Sequence, residues 1–310
     1  MNVYQFIQDK IKEIQETIGS DKAISALSGG VDSSTCTLLT HQAIGDQMKV
    51  IFIDDGLMRE KEASMVKQIF SSLGIQVEII EAQDEFFKAL KNKEDPEEKR
   101  KAFRDAFYNI FGKEVLKSQS RFLVQGTIAA DIIETQGGVK TQHNILEQIG
   151  IDPQQGYGFK VIEPLKSLFK YEVREVARAL GFSEEIYERM PFPGPGLATR
   201  VIGEVTPERV ELVRKATKIV EDEIMSIRPF QAFAVLMKDQ GTGIVEGKRK
   251  YGNVIIVRSV ESRDAMTAEP SQVPWDILMK ISRRIIREIP DVVRVAYEIT
   301  PKPPATIEYI

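Results

Sequence analysis

The stretch that most constrains the fold of this chain is SGGVDSS at residues 28–34, which directly follows the apolar run at residues 23–27. A short β-prone segment that leads into glycines and hydroxyls, and then into the helix-like sequence TCTLL, predicts a strand, a loop and a helix. Gly29 and Gly30 allow the backbone to approach a ligand closely and to adopt positive φ. Serine hydroxyls and the free N–H groups at the start of a helix bind anions. The sequence therefore predicts an anion-binding loop in an α/β fold.

Asp32 is the unusual member of this loop, because a carboxylate repels phosphate unless a divalent cation lies between them. The loop therefore predicts Mg²⁺ as well as phosphate. It is not a Walker loop, since no Gly-Lys-Ser/Thr follows at the required spacing. The similar segment GTGIVEGKR fails too, with Thr242 in place of the first glycine and Arg249 in place of the hydroxyl. A plain glycine-rich turn with a serine N-cap is the alternative.

Composition excludes several classes of function. The 42 basic and 46 acidic residues give a net charge of −4, so electrostatics offers no reason to expect nucleic acid as a partner. No run approaches the ~18 apolar residues of a membrane span, and the amphipathic first residues do not form a signal peptide. With one cysteine and two histidines, neither a structural zinc site nor a Cys-His-acid glutaminase can be assembled. The single cysteine fits a cytoplasmic location.

The first part of the chain alternates strands and helices. Apolar runs near residues 49–54, 76–80 and 122–125 predict three more strands, separated by helix-like segments. This order favours a parallel sheet wound on both faces, with ligands beyond the carboxyl ends of the strands. The loop at 28–34 follows one such end, Asp54 and Gly56 follow the next, and Gly126-Thr127 follow the last. The pattern thus indicates a nucleotide site.

Two segments interrupt this pattern. Residues 136–158 are rich in Gly and Gln, lack apolar periodicity and contain Lys140 and His143. They are either a mobile lid or disordered, and a lid is favoured because donors follow a predicted site strand. PFPGPGL at 191–197 forms a stiff connector, which predicts one domain at 1–190 and another at 191–310.

The second domain has a different order of elements. Helices are expected near 207–226 and 275–289, and strands near 230–237, 253–260, 292–299 and 306–309. This order predicts an α+β domain with mainly antiparallel pairing. A small sheet with apolar strands often completes its core against a second copy, so a homodimer through this domain is expected.

Seven motifs occur in the order found in one family. They are SGGVDSS, FIDDGLMR (52–59), QGT (125–127) followed by Asp131 and Glu134, EPLKSLFKYEVR (163–174), PFPGPGLATR (191–200), QAF (231–233) and KPPATIEY (302–309). Across nearly its whole length the chain resembles the GMP synthetases, which are ATP pyrophosphatases with an adenine nucleotide alpha hydrolase-like fold. The motifs of the glutamine-amidotransferase domain of the two-domain form are missing. The resemblance therefore implies the split, archaeal-type arrangement, in which a separate glutaminase subunit supplies ammonia.

The resemblance implies a two-step reaction. The 2-oxygen of XMP attacks the α-phosphate of ATP–Mg²⁺ to give adenylyl-XMP and pyrophosphate, and ammonia then displaces AMP to give GMP. By this resemblance, Asp54 and the Gly126-Thr127 turn are expected to hold ribose and adenine. The expected catalytic residues are Asp32, which would hold the magnesium, and Lys140 and Lys166, which would reach the triphosphate. The implied ATP and pyrophosphate contacts are Ser28, Gly29, Gly30, Val31, Asp32, Ser33, Ser34, Asp54, Gly126 and Thr127.

XMP carries its own phosphate and requires cations away from the ATP loop. The residues that the motifs indicate for it are Arg59, Arg200, Gln231, Lys302, Ile307 and Glu308. Lys302 precedes two prolines, which hold its backbone extended and favour a preset contact. The chain departs from the family at Asp55, where Asn is common, and the lid sequence around His143 matches only in part.

Other functions remain to be weighed. A tRNA thiolase also carries SGGVDSS, but thiolation requires catalytic cysteines and a basic RNA surface. NAD synthetase and argininosuccinate synthetase share the loop but not the Pro-Gly connector. A non-catalytic nucleotide-binding module is the alternative from a different class, and the intact Asp32 and complete donor set argue against it.

Overall fold

A computed structural model of the protein describes residues 2–129, 131–132, 160–263 and 265–310. The chain forms two compact units. The N-terminal unit comprises Met1–Asp54, Lys61–Ala82 and Asp105–Arg189, and the C-terminal unit comprises Asp55–Glu60, Gln83–Arg104 and Met190–Ile310. The boundary near residue 190 and the lid at 136–158 stay predictions, and the lid lies outside the described residues. None of the helices in the described ranges is long and apolar enough to cross a membrane.

The elements are numbered along the described part of the chain. In order they are α1 (Val3–Ile18), β1 (Ala23–Leu27), α2 (Val31–Ile44), β2 (Met48–Asp54), α3 (Glu62–Ser72), β3 (Val77–Glu81), α4 (Gln83–Leu90), α5 (Pro96–Ser118), β4 (Phe122–Val124), β5 (Lys160–Ile162), α6 (Lys170–Ala179), α7 (Glu184–Tyr187), α8 (Pro207–Ile224), β6 (Gln231–Val245), β7 (Lys248–Glu261), β8 (Glu269–Pro270), α9 (Trp275–Glu288) and β9 (Val292–Glu298). Single 3₁₀ turns cover Gly45–Gln47 and Gly196–Arg200.

The N-terminal unit is built on a parallel five-stranded sheet in the order β3-β2-β1-β4-β5. From β1 the chain adds β2 and β3 on one side, and later β4 and β5 on the other. The winding therefore reverses between β1 and β4, which is where open α/β sheets bind ligands. In register, Leu27 at the end of β1 lies beside Phe52 of β2, and Ser25 beside Val124 of β4. The predicted α/β class with a parallel sheet is confirmed.

Helix α2 is held firmly against this sheet. Its residues from Ser34 to Thr40 are buried, and the hydroxyls of Ser25 and Thr37 lie 2.7 Å apart in the interior. The amphipathic helix α1 packs against α2 with Ile7 and Ile14 buried, as its 3.6-residue periodicity predicts. The start of α2, which carries the glycine loop, is therefore fixed from within the core.

The C-terminal unit combines a mostly antiparallel sheet with α8 and α9. Strand β7 pairs antiparallel with β6 and with β8, and parallel with β9. The predicted α+β class is confirmed. Strands β6 and β7 are longer than expected and extend into a hairpin. Val213, Val220 and Ile224 of α8 are buried, and α8 packs against β6.

The prediction of a strand at 306–309 is wrong. These residues form bends and irregular backbone. The carbonyls of Thr306 and Ile307, which a strand would pair with a neighbour, accept hydrogen bonds from Arg258 Nη2 at 2.8 Å and Nε at 2.9 Å. Nearby, Lys302 pairs in a strand-like way with Ala268, through an isolated antiparallel bridge. A buried guanidinium has replaced the strand ladder at 306–307.

Candidate functional site

The loop at 28–34 is closed by its own hydroxyls. Gly30 is the N-cap of α2. Ser28 Oγ lies 2.9 Å from Ser33 Oγ, and the Ser33 hydroxyl also contacts the Ser28 amide at 3.2 Å and the Gly30 carbonyl at 3.2 Å. Ser28 and Gly30 are exposed, while the side chains of Val31 and Ser34 are buried. The loop therefore presents backbone amides and two hydroxyls at its open side, with Ser34 turned into the helix.

Only one of the two carboxylate oxygens of Asp32 has a hydrogen-bond partner among the described residues. Its Oδ2 accepts a hydrogen bond from Lys170 Nζ at 2.6 Å. Its Oδ1 is buried, with no partner among the described residues. Lys170 is the first residue of α6 and lies within the motif at 163–174, but nothing in the sequence indicates that it meets Asp32. The ammonium of Lys170 therefore already balances the charge of this carboxylate.

The unpartnered Oδ1 of Asp32 fits a magnesium ion. Mg²⁺ in nucleotide sites takes oxygen from one or two carboxylates and from the substrate phosphates, and keeps several waters. Among the described residues there is no group of three or more His, Cys, Asp or Glu side chains that could hold a metal by themselves. A metal here would therefore depend on phosphate oxygens for its other ligands, as in a nucleotide complex.

A buried ion pair underlies the loop and was missed in the sequence. Arg189 binds Glu62 through two parallel hydrogen bonds, each 2.6 Å long. Arg189 Nη1 also donates to the Gly29 carbonyl at 3.1 Å. Both charges lie outside the recognised motifs and more than 120 residues apart, so no local pattern signals that they meet.

The turn after β4 lies directly against the loop. A Cβ added to Gly126 would sit 3.0 Å from the backbone carbon of Asp32 and 3.0 Å from the backbone nitrogen of Ser33. Thr127 Oγ1 donates to Glu163 Oε1 at 2.7 Å. Two of the three strand ends that the sequence predicted to converge meet here, and Gly126 allows their close packing.

The lone cysteine is not a nucleophile. Cys36 is buried on α2, where its thiol contacts the Gln125 carbonyl at 3.3 Å. Burial, reinforced by the negative charges of Asp32 and Glu163, raises the pKa of this thiol well above its usual value. The group therefore stays protonated and acts as a small core residue.

The remaining residues predicted for ATP are placed as follows. Asp54 ends β2 half-buried, and its carbonyl accepts from the Ala82 amide at 3.0 Å. Lys166 is exposed in the turn after β5. Lys140 lies outside the described residues. The structure thus brings together the loop, Gly126 and Thr127, and leaves the roles of the two lysines as predictions.

In the C-terminal unit, Arg200 is the centre of a buried cluster. Its guanidinium binds Glu308 through Nε at 3.0 Å and Nη2 at 2.8 Å, and lies over the rings of Phe192 and Phe233 at 4.7 and 4.1 Å. Gln231 Nε2 donates to the same carboxylate. Arg200 Nη1 is buried without a partner among the described residues. Three of the predicted residues, Arg200, Gln231 and Glu308, therefore form one hydrogen-bonded group.

Arg59 and Phe192 extend this cluster. Arg59 Nε binds Glu221 at 2.9 Å, and Arg59 Nη2 donates to the Met190 carbonyl at 3.1 Å. Its guanidinium lies 4.4 Å from the centre of the Phe192 ring. The ring of Phe192, which belongs to the Pro-Gly segment, therefore contacts two arginines, Arg59 and Arg200. The segment thus packs against two guanidinium groups as well as connecting the chain.

The C-terminal tail is anchored by a residue that the sequence did not reveal. Arg258 is fully buried and binds the carbonyls of Thr300, Thr306 and Ile307. The Ile307 side chain packs with Val260 and Ala268 in the core. Lys302 is half-buried and donates to the Ala265 carbonyl at 2.7 Å. Arg258 thus presets the backbone that carries Lys302 and Glu308.

Comparison with known proteins matches nearly the whole chain. Residues 3–195 match the family model "NAD synthase", and residues 217–309 match "GMP synthase C terminal domain". The chain is 54% identical to a subunit of the glutamine-hydrolyzing GMP synthase of Archaeoglobus fulgidus, over 100% of both chains. It is 50% identical to the subunit of the same name from Pyrococcus horikoshii, over 98% of each.

The chain belongs to the GMP synthase family. Identity of this level over the full length fixes the family independently of any single motif. Among solved structures, the NH3-dependent NAD synthetase of Campylobacter jejuni shares 19% identity with a TM-score of 0.46, covering 61% of this chain and 78% of that one. The fold assignment rests on the strand order and the family models, not on this weaker likeness.

Replacing Gly126 by Ala tests the close packing of the two strand ends. Because the added Cβ would lie about 3.0 Å from backbone atoms of Asp32 and Ser33, we expect the free energy of unfolding to fall by ~1–3 kcal/mol. Denaturant unfolding measures this change. Gly194→Ala is the matched control, since its Cβ would meet nothing within 4 Å. Equal stability of the two variants would contradict the packing described for Gly126.

Proposed function

We propose that the chain is the ATP-pyrophosphatase subunit of a GMP synthase. It transfers the adenylyl group of ATP to the 2-oxygen of XMP, with release of pyrophosphate, and ammonia then displaces AMP to give GMP. The observation that carries the proposal is the full-length identity to the GMP synthase subunits of the two relatives. The loop at 28–34, which lies where the winding of the sheet reverses, supplies the hydrogen-bond donors that such a reaction requires.

The loop's part is to bind the leaving pyrophosphate. The amides at the start of α2 and the hydroxyls of Ser28 and Ser33 neutralise the charge that develops as the α-phosphate separates from the β-phosphate. Asp54, Gly126 and Thr127, at the carboxyl ends of β2 and β4, are proposed to contact ribose and adenine. Lys166 and Lys140 are proposed to reach the triphosphate.

Magnesium is proposed to bind Asp32 through Oδ1. When bound, it would offset the negative charge of the phosphates. Lys170 holds the other carboxylate oxygen, which orients Asp32 and would leave Oδ1 available to the ion. The protein therefore contributes one oriented carboxylate, and the nucleotide contributes the remaining anionic ligands.

The C-terminal unit is proposed to bind XMP. Arg59, Arg200 and Lys302 supply positive charge, and Gln231, Ile307 and Glu308 contribute amide, backbone and carboxylate groups. A lysine ammonium has three donors, and among the described residues Lys302 donates to one carbonyl. Donors therefore remain on Lys302 for the XMP phosphate. Arg200 orients Glu308, whose carboxylate can accept from N–H groups of the purine.

Partners and location are further parts of the proposal. The relatives are named as one subunit of a glutamine-hydrolyzing enzyme, which supports a separate glutamine amidotransferase subunit as the source of ammonia. A homodimer through the C-terminal domain is proposed from its apolar strands. A cytoplasmic location is inferred from the single cysteine. The buried, protonated Cys36 disfavours the thiolase alternative, because thiolation requires a reactive thiol.

The decisive reaction uses this chain alone with ATP, XMP and Mg²⁺. With an ammonium salt we expect GMP, AMP and pyrophosphate to appear in equal amounts, because the ligase chemistry needs only free ammonia. With glutamine in place of ammonium we expect no GMP until the partner subunit is added. Chromatography of the nucleotides and a pyrophosphate assay measure the products.

Two results would contradict the proposal. Binding of ATP without pyrophosphate release, at saturating XMP and ammonium, would indicate a nucleotide-binding module. Pyrophosphate release that ignores XMP would indicate another ATP pyrophosphatase, such as a tRNA thiolase.

Lys302→Ala tests the assignment of the tail to XMP. We expect KM for XMP to rise by about tenfold or more, because a charge-assisted contact to phosphate is lost, with KM for ATP nearly unchanged. Lys250→Ala is the matched control, since Lys250 also donates to a backbone carbonyl, that of Pro290, at 2.9 Å. Equal rises in both KM values for Lys302→Ala would refute the assignment.

A further inference from the structure

The Arg189–Glu62 ion pair is placed so that it can hold the loop at 28–34 in position. The side chain of Glu62 is 3% exposed and that of Arg189 is 15% exposed, so both charges are largely removed from water. Their two hydrogen bonds of 2.6 Å form a bidentate fork. A fork of this kind fixes the plane of the guanidinium as well as its position. Nη1 also donates to the Gly29 carbonyl, at 3.1 Å.

This contact determines where the next amide points. The peptide bond between Gly29 and Gly30 is trans, since the cis bonds are those of Lys302-Pro303 and Pro303-Pro304. In a planar trans peptide the C=O and N–H groups point in opposite directions. With the Gly29 carbonyl bound to Arg189, the Gly30 N–H points the other way. There it donates a long hydrogen bond to Ser28 Oγ, at 3.4 Å, beside the exposed hydroxyls of the loop.

Gly29 packs directly against the ion pair. Its φ is +75°, and a Cβ at this position would lie 2.1 Å from Glu62 Oε1. Glycine therefore suits this position for two reasons. It adopts the positive φ without strain, and it has no Cβ in the space that the ion pair occupies. The loop and the pair are packed as one unit.

We propose that Arg189, oriented by Glu62, is a positioning residue for pyrophosphate. It binds no phosphate itself. It holds the Gly29–Gly30 peptide so that the Gly30 N–H is already directed at the anion before the nucleotide arrives. An amide that needs no reorientation stabilises developing charge more effectively. This inference rests on the proposed function, because it assigns pyrophosphate to the loop.

The pair is suited to this role by its chemistry. Lysine at position 189 would keep the charge but could not bind both Glu62 oxygens and the Gly29 carbonyl in one plane. Glutamine at position 62 would keep the shape but leave the guanidinium without its counter-charge. If the pair only stabilised the fold, its loss would weaken the binding of different ligands to the same extent.

The test measures the affinity for two ligands by isothermal titration calorimetry. Inorganic pyrophosphate with Mg²⁺ probes the loop, and AMP probes the nucleoside contacts. For Arg189→Lys, Arg189→Met and Glu62→Gln we expect pyrophosphate to bind about tenfold more weakly or worse. AMP affinity should stay within about twofold of the wild-type value.

Arg121→Met is the control, because Arg121 forms an ion pair with Asp21 at 3.3 Å on the surface and precedes β4 at the opposite end of the strand from the site. It should bind both ligands as the wild type does. If Arg189→Met fails to fold, the pyrophosphate affinity of Arg189→Lys serves as the test, because this variant keeps a positive charge beside the buried carboxylate of Glu62.

The outcomes separate this inference from the proposed function. Wild-type affinity for pyrophosphate in Arg189→Lys would overturn the inference alone. An equal loss of pyrophosphate and AMP binding, accompanied by a lower melting temperature, would overturn it too, since the pair would then serve only the fold. A wild-type protein that binds neither pyrophosphate nor ATP would overturn the proposed function and the inference with it.

Discussion

The geometry of the loop at 28–34 is determined by two places where the backbone packs closely against its neighbours. At Gly29 the chain passes over a buried Arg–Glu pair, and at Gly126 the end of β4 lies against the first residues of α2. At either position an added Cβ would press on a neighbour and require that neighbour to shift, so the loop is confined from both sides. Because protein interiors are closely packed, a segment confined in this way has little freedom to move. The fixed amides, the two hydroxyls and the half-engaged Asp32 all depend on this confinement, and the proposed chemistry depends on them in turn.

Local sequence predicted the parts of this site that local rules control. A strand that runs into two glycines and a helix is readable because glycine, periodicity and helix starts each leave a signal. The convergence of the ends of β1 and β4 was predictable too, since parallel strands present their carboxyl ends at one edge. Glu62 and Arg189 were missed, and so was the contact of Lys170 with Asp32, because each contact joins residues more than 120 positions apart in the chain. No period or motif marks such a partner.

The C-terminal unit illustrates the same limit. Its helices and most of its strands follow from apolar periodicity, but the segment 306–309 has strand-like composition and is not a strand. Arg258 takes the carbonyls that would have paired. A single buried guanidinium with several donors can thus override a propensity whose whole range is about 1 kcal/mol. Arg200 shows the related case of a cation that is recognisable in a motif, while its bidentate contact with Glu308 and its aromatic partners are visible only in the structure.

The central claim is that this loop grips two linked phosphates with a metal on the unpartnered oxygen of Asp32. Crystals grown with a non-hydrolysable ATP analogue and Mn²⁺ test it most directly, because the anomalous signal of manganese locates the ion without ambiguity. The account predicts manganese on Asp32 Oδ1, with the β- and γ-phosphates at the amides that open α2. Phosphates bound elsewhere in the chain, or a metal that ignores Asp32 while nucleotide is present, would contradict it.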